Sequence, residues 1–332
     1  MTRMTTSATH HQMPDMLGGA FGLELPEYNN FPYGEAPGCA WVNSGRAAFE
    51  CLLHSMPRPQ RVLVPRFVCD TVLEPLLRQK LTIERYPISE QLEPRTPADA
   101  SAGDLLLLVN YFGLNTQAVQ AAALRHPGPV VIDATTALYC PPLPGIPTFY
   151  SPRKFGGLCD GGIACAPFPL QLPPDTDTSA TRALGMLMRT EMGAEAAADQ
   201  QQAAEAELCG PARRMSPLTR RLLLATNWHA AAERRLANYA ELHAALAPIN
   251  RLQLPATPPA APMCYPLVCG IPGLRDELID AGIALPLYWP EVINSTEATE
   301  TENILARTLL PLPLDQRYST TDMQRIVRLI LG

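Results

Sequence analysis

Over the first two-thirds of the chain, short apolar runs alternate with helical patterns. "RVLVPRF", from Arg61, reads as a buried strand, "CDTVLEPLLRQK" as the helix that follows and "LTIERYPI" as a strand. "DLLLLVNYF" reads as a second buried strand, "NTQAVQAAALRH" as a helix and "PVVIDATT" as a third strand. Strands and helices alternating at this spacing predict a largely parallel sheet with helices on both faces. Ligands bind such sheets beyond the carboxyl ends of the strands. Asp133 ends "VVID", and Asn110 and Tyr111 end "LLLLVNY", so both sets face the expected cleft.

From about Thr181 the pattern turns helical. "TRALGMLMRTEMGAEAAADQQQAAEAEL" is rich in alanine and glutamine and has few breakers before Cys209. "SPLTRRLLLATNWHAAAERRLANYAELHAAL" opens on Ser216 as an N-cap, with proline in the first turn. A smaller mixed segment starts near Leu252. The reading divides the chain into a mobile tail at 1–16, a large domain at 17–215 and a small carboxyl-terminal domain at 216–332, with a hinge in the helical region and no internal repeat.

Composition narrows the function. A chain of 332 residues that is 47% hydrophobic can bury a sizeable core. No apolar run reaches membrane-spanning length, and "MTRMTTSATHHQMPDM" lacks the apolar region of a secretory signal. A net charge of −6 argues against a general nucleic-acid binder. Nine scattered cysteines without a C-x-x-C pair suit reduced, mostly buried thiols in a cytoplasmic protein. His10 and His11 belong to the tail, and His54, His126, His229 and His243 lack metal-ligand spacing, so no metal is expected. There is neither a G-x-S-x-G elbow nor a G-x-x-x-x-G-K-[ST] loop, and "GGAFG" does not follow a strand.

The cations carry a sharper signal. The chain has 26 lysines and arginines together, and only Lys80 and Lys154 are lysine. Lys80, in "LRQKLTIE", reads as a solvated residue between a helix and a strand. Lys154 sits in "FYSPRKFGGLCDGG", beside glycines that permit close approach of a planar ligand, with Ser151 three residues before it. A lysine amine can lose its proton and attack a carbonyl, whereas a guanidinium stays charged. "NSGRAAFECLL" opens a helix at a small-residue turn, where Ser44, Gly45 and Arg46 could hold a phosphate. Taken alone, that turn reads first as an ordinary helix start capped by Ser44. Asp133 alone could merely cap the next turn. Together, a phosphate cradle, an aspartate and a reactive lysine are the three parts needed to hold pyridoxal phosphate.

These motifs, with "GGAFGLEL", "VPRFVCDTVLEP", "NYFGLN" and "YWP", resemble the DegT/DnrJ/EryC1/StrS group of pyridoxal-phosphate sugar aminotransferases, and a branch of short chains within it. The resemblance runs from about Leu17 to Ile330. It implies fold type I: a large α/β/α domain with a mostly parallel sheet, a smaller carboxyl-terminal α+β domain, and a homodimer with residues such as Asn227 near the neighbour's cleft. It implies Lys154 as the lysine bonded to the cofactor aldehyde, Asp133 as the partner of the pyridine nitrogen, and Ser151 with the Ser44–Arg46 turn as the phosphate site. Three positions depart from the group's pattern. Arg46 stands for a common threonine, Thr136 for a glutamine that contacts the ring hydroxyl, and Cys69 for an aromatic that stacks on the ring, with Phe67 the nearest aromatic.

The implied activity is amino transfer from glutamate to a keto sugar, nucleotide-linked or not, in polysaccharide or secondary-metabolite biosynthesis. The alternatives are another reaction of the same cofactor, dehydration or aldol-type cleavage, and a degenerate member that binds without turnover.

Overall fold

The computed structural model describes residues 21–34, 38–293 and 295–332. The expected tail at 1–16 lies outside the described residues. The described residues form nine strands: β1 (Cys39–Val42), β2 (Arg61–Pro65), β3 (Ile83–Tyr86), β4 (Asp104–Val109), β5 (Val130–Asp133), β6 (Thr148–Tyr150), β7 (Gly162–Cys165), β8 (Tyr265–Leu267) and β9 (Leu310–Leu312). Their helices are α1 (Gly45–Ser55), α2 (Glu74–Arg78), α3 (Thr116–Arg125), α4 (Ala183–Met192), α5 (Ala198–Glu207), α6 (Pro217–Ala225), α7 (Trp228–Leu246), α8 (Leu274–Asp280), α9 (Pro290–Ile293), α10 (Glu300–Thr308) and α11 (Thr320–Leu331).

The first seven strands make one sheet in the order β1-β7-β6-β5-β4-β2-β3. Pairs β2–β3, β2–β4, β4–β5 and β5–β6 are parallel, while β7 runs antiparallel to β6 and β1. The expected α/β class and mostly parallel sheet are present. Alternation along each strand feeds two cores, because successive side chains leave opposite faces of a sheet. Val62, Val64, Leu105, Leu107 and Val131 enter one core; Leu63, Leu106, Leu108, Val130 and Ile132 enter the other. Helices cover both faces, which is why β2, β4 and β5 are apolar at every interior position.

A third core joins β8 and β9 to Tyr239, Leu242 and Leu246 of α7 and to Met323, Ile326 and Ile330 of α11. The last three stand at i, i+3 and i+7 and so share one helix face. Leu223 and the amino-terminal Trp228 of α7 pack instead in the second core of the large sheet, so α7 runs from one core to the other. The chain also returns to the sheet late. Trp289, Val292, Leu305 and Leu309 pack in the first core, and Glu302 both caps α10 at Thr299 and accepts the Ile88 N–H at 3.0 Å.

Breakers cut the helical stretches more finely than their patterns suggest. Gly193, at φ +92°, ends α4 before α5 begins. Thr226 turns extended after α6, and Asn227 caps α7 by accepting from Ala230 N–H. "CDTVLEPLLRQK" gives a 3-10 turn at Asp70–Leu73 and then only the five residues of α2, with Pro75 in its first turn.

Candidate active site

The carboxyl ends of β1, β5 and β6 meet at one edge of the sheet. β1 leads through Asn43 into the Ser44 cap of α1, β5 ends at Asp133, and β6 leads through Ser151 into the 3-10 turn Pro152–Lys154. A cavity of about 270 Å³ opens between them, lined by Ser44, Gly45, Asp133, Thr135, Ser151 and Lys154 on the sheet side. Val68, Cys69, Thr71 and Trp289 form the opposite wall.

Asp133 is 5% exposed, and its Oδ1 accepts the Thr135 N–H at 2.8 Å. Burial raises its pKa above the usual carboxylate range, with the Lys154 charge and the Thr135 hydrogen bonds opposing the rise. Lys154 reaches solvent through the cleft, and its Nζ donates to Thr135 Oγ1 at 3.2 Å. Protein crowding around the amine lowers its pKa, and the Asp133 charge works against that fall. The amine therefore loses its proton more readily than a solvated lysine does.

The turn at Gly45 is tight. A Cβ there would lie 3.1 Å from Thr135 Cγ2 and 3.5 Å from Ser151 Cβ. On the neighbouring strand, a Cβ at Gly162 would run into the Ser44 carbonyl, so β7 can pair at this point only through glycine. Ser44 Oγ accepts the Ala47 N–H at 3.1 Å, while the Ser151 hydroxyl caps nothing in its own turn. The Gly45 and Arg46 N–H groups at the start of α1 have no acceptor within the helix, and both residues line the same cavity as the two serines.

The remaining expected residues divide. Arg46 lines the cavity, but its Nη1 donates to Glu74 Oε1 at 2.7 Å and to Cys209 Sγ at 3.2 Å. Thr136 also lines it, yet its Oγ1 accepts from Phe112 N–H and donates to the Asn110 carbonyl, so the hydroxyl is spent on backbone. Cys69 lines the cavity beside Thr71 Oγ1. Phe67 does not: it is fully buried and packs edge-on against Trp289, ring centroids 4.6 Å apart. Asn227 serves as the α7 cap and takes a hydrogen bond from Asn30. Lys80 stands in the turn between α2 and β3, as its sequence context indicates.

Thr135 and Glu205 were not legible as site residues, and Trp289 of "LYWPEV" could be read from the sequence either as small-domain packing or as part of the cleft lining. Thr135 and Trp289 line the cavity, and Glu205 of α5 sits at its mouth. Arg153 pairs with Glu205 through two hydrogen bonds, 2.9 and 2.8 Å. Beyond that pair lies a larger cleft of about 950 Å³, whose walls include Arg182, Arg189, Arg235 and Arg317 and, among the described residues, two carboxylates, Glu205 and Asp315. Arg153, Lys154 and Glu205 line both spaces.

No family model matches the chain, and no curated protein is similar to it in sequence. Solved structures are similar. The sugar aminotransferase CalS13 from Micromonospora echinospora aligns with a TM-score of 0.61 at 18% identity, covering 88% of this chain and 86% of that one. A DegT DnrJ EryC1 StrS aminotransferase from Brucella abortus aligns at 0.60 and 16% identity, covering 88% and 84%. The fold is that of the sugar aminotransferases. This bears out the resemblance read from the motifs at the level of architecture. The sugar-aminotransferase fold is shared with the E coli GDP-4-keto-6-deoxy-D-mannose-3-dehydratase, at a TM-score of 0.59 and 13% identity, covering 88% and 87%.

Proposed function

We propose that the chain is a pyridoxal-phosphate-dependent aminotransferase that passes the amino group of glutamate to a keto sugar, free or nucleotide-linked. The observation that carries this reading is the placement of Lys154 and Asp133 in one cavity at the carboxyl ends of β5 and β6, opposite the start of α1.

The cavity suits the cofactor. Its volume takes one ring with short substituents. The crowded Gly45 turn, with Ser44, Ser151 and the first N–H groups of α1, would hold the phosphate, since backbone donors and the helix dipole both favour an anion there. Asp133 would hold a proton on the ring nitrogen, and Lys154 would bond to the aldehyde. When bound, pyridoxal phosphate supplies the aldehyde that captures an amino group and the ring that accepts electrons. Around it, Trp289 and Cys69 close the far wall against water, and Lys154 is placed to carry a proton between substrate carbon and solvent. Arginines around the larger cleft suit anionic substrates, as a glutamate or a sugar phosphate would be.

The dehydratases that share this fold support elimination as a second outcome at the same site. We also place the protein in the cytoplasm as a homodimer. Nine free cysteines favour the first, and exposed Leu184, Leu187 and Met192 on α4 favour the second. Light scattering that finds a fully active monomer would remove the dimer.

The deciding experiment is the visible spectrum of the protein with pyridoxal phosphate, before and after glutamate, followed by mass analysis of a keto-sugar mixture. Loss of the cofactor band on adding glutamate, with an amino sugar formed, supports transfer. No band in the parent, or one that survives in Lys154→Arg, overturns the reading.

A further inference from the structure

Arg153 precedes Lys154 directly and is, among the described residues, the arginine that lines both the small cavity and the larger cleft. Its two Nη groups fork onto the Glu205 carboxylate, while its buried Nε makes no hydrogen bond. The other arginines of the cleft are differently placed. Arg182 is tied to buried Asp160 and Asp177, Arg317 to Asp315, and Arg235 to backbone carbonyls. Arg189 has no ion pair among the described residues but lines only the larger cleft.

Glu205 is the movable half of its pair. Its side chain is 61% exposed, against 19% for Arg153. It rides on α5, a helix with no buried residue. Besides its contact with α4 and the buried residues at its two ends, Ala197 and Leu208, α5 is tied to the rest of the chain by this pair, by Arg182 with Glu207 at 3.6 Å, and by Arg46 with Cys209 just beyond its end. Partial desolvation of this half-open carboxylate is outweighed by the Arg153 hydrogen bonds and by the charges of Arg153, Arg46 and Lys154, which hold its pKa below the usual range.

We infer that the Arg153 fork is the docking point for the carboxylate of the amino donor, and that Glu205 occupies it in the free chain until the donor displaces it. Planar, two-pronged recognition is what a guanidinium offers a carboxylate. A donor carboxylate seated there would place its amino carbon beside Lys154, and α5 would lose one of its few ties. The inference rests on the aminotransferase reading for the identity of the donor, but not for the carboxylate site itself.

The test is calorimetric titration with glutarate, a dicarboxylate that cannot give an amino group, into protein with and without pyridoxal phosphate. Because an exposed ion pair competes only weakly, Glu205→Ala is expected to tighten glutarate by about two- to fivefold. Arg153→Gln should abolish binding, and Arg153→Lys should restore only part of it. Proteolysis at the α4–α5 connection should rise with glutarate in the parent and be high without it in Glu205→Ala. Equal affinity in parent, Glu205→Ala and Arg153→Gln, or no binding in Glu205→Ala, overturns the inference. If Glu205→Ala tightens glutarate through Arg153 while Lys154 takes up no pyridoxal phosphate, the carboxylate site stands and the cofactor reading falls.

Discussion

Thr135 joins the two reactive groups of the site: its hydroxyl accepts from Lys154 Nζ at 3.2 Å, and its own N–H holds the Asp133 carboxylate at 2.8 Å. One residue thus fixes the amine relative to the carboxylate. Thr135→Val should keep the fold but let the amine wander. Capture of pyridoxal phosphate should slow by about fivefold, the scale of one hydrogen bond near 1 kcal/mol. Stopped-flow absorbance measures it, and an unchanged rate would show that the bond positions nothing.

Lys154 should be the residue that borohydride fixes to pyridoxal phosphate. Peptide mapping should find the label there and not on Lys80, and Lys154→Arg should carry none, because a guanidinium keeps the charge and loses the nucleophile. Label on Lys80 would refute the assignment.

Asp133 is proposed to hold the proton on the ring nitrogen, and its charge acts on Lys154. Asp133→Asn should lower turnover by about a hundredfold, comparable to the loss of a positioned acid–base group. It should also move the pH profile of cofactor capture. Burial lowers the Lys154 pKa and the Asp133 charge raises it. Removing that charge leaves burial unopposed, so the amine becomes neutral at lower pH. The half-maximal capture rate should shift toward acid by about one pH unit, the low end for an adjacent charge. A shift toward alkali would contradict the electrostatic picture.

Arg46 sits in a ladder of charges between α1 and α2. Arg46 pairs with Glu74 at 2.7 Å, Glu74 with Arg78 at 3.7 Å, and Arg78 with Glu50 at 2.6 Å. Both side chains of the first pair are partly exposed, 15% and 31%. A double-mutant cycle of Arg46→Ala and Glu74→Ala by urea unfolding should therefore give a coupling of about 0.5–1 kcal/mol. Equilibrium dialysis should show that Arg46→Ala loosens the cofactor severalfold while Glu74→Ala does not. Equal retention in both variants would assign Arg46 to the helix pair alone.

Trp289→Ala should cost about 3 kcal/mol, the usual loss for a buried large aromatic, and should loosen the cofactor. Phe67→Leu lies behind that wall and should lower the urea midpoint with little effect on retention. Matched losses of retention in the two variants would place Phe67 at the ring after all.

Much of this was legible beforehand where local pattern and packing agree. β2, β4 and β5 were readable because parallel strands covered on both faces are apolar throughout, and Asp133 stood out at the end of one. Lys154 was readable from its rarity. The three-residue strand β6 and the four-residue β1 and β7 carry too little periodicity to announce themselves. Thr135 was passed over for Thr136 because which of two adjacent threonines faces a cavity depends on the turn, and here Thr136 folds back onto Phe112 and Asn110. Glu205 was hidden in an alanine- and glutamine-rich stretch where each acidic residue resembles a solvated one. Trp289 could be noticed but not placed, since its partners Phe67 and Tyr111 are far away along the chain.

That distance orders events during synthesis. Ser44, Asp133 and Lys154 leave the ribosome well before Trp289, which closes the cavity from the other side and is itself held against Phe67, Tyr111 and Phe112. A nascent chain that ends before Trp289 has the Lys154 amine and the Gly45 turn but an open wall. Under the proposed function such a chain could meet the cofactor aldehyde yet could not shield it, so secure loading would belong to the finished polypeptide, and carboxyl-terminal truncations should release their ligand even where the large sheet still forms.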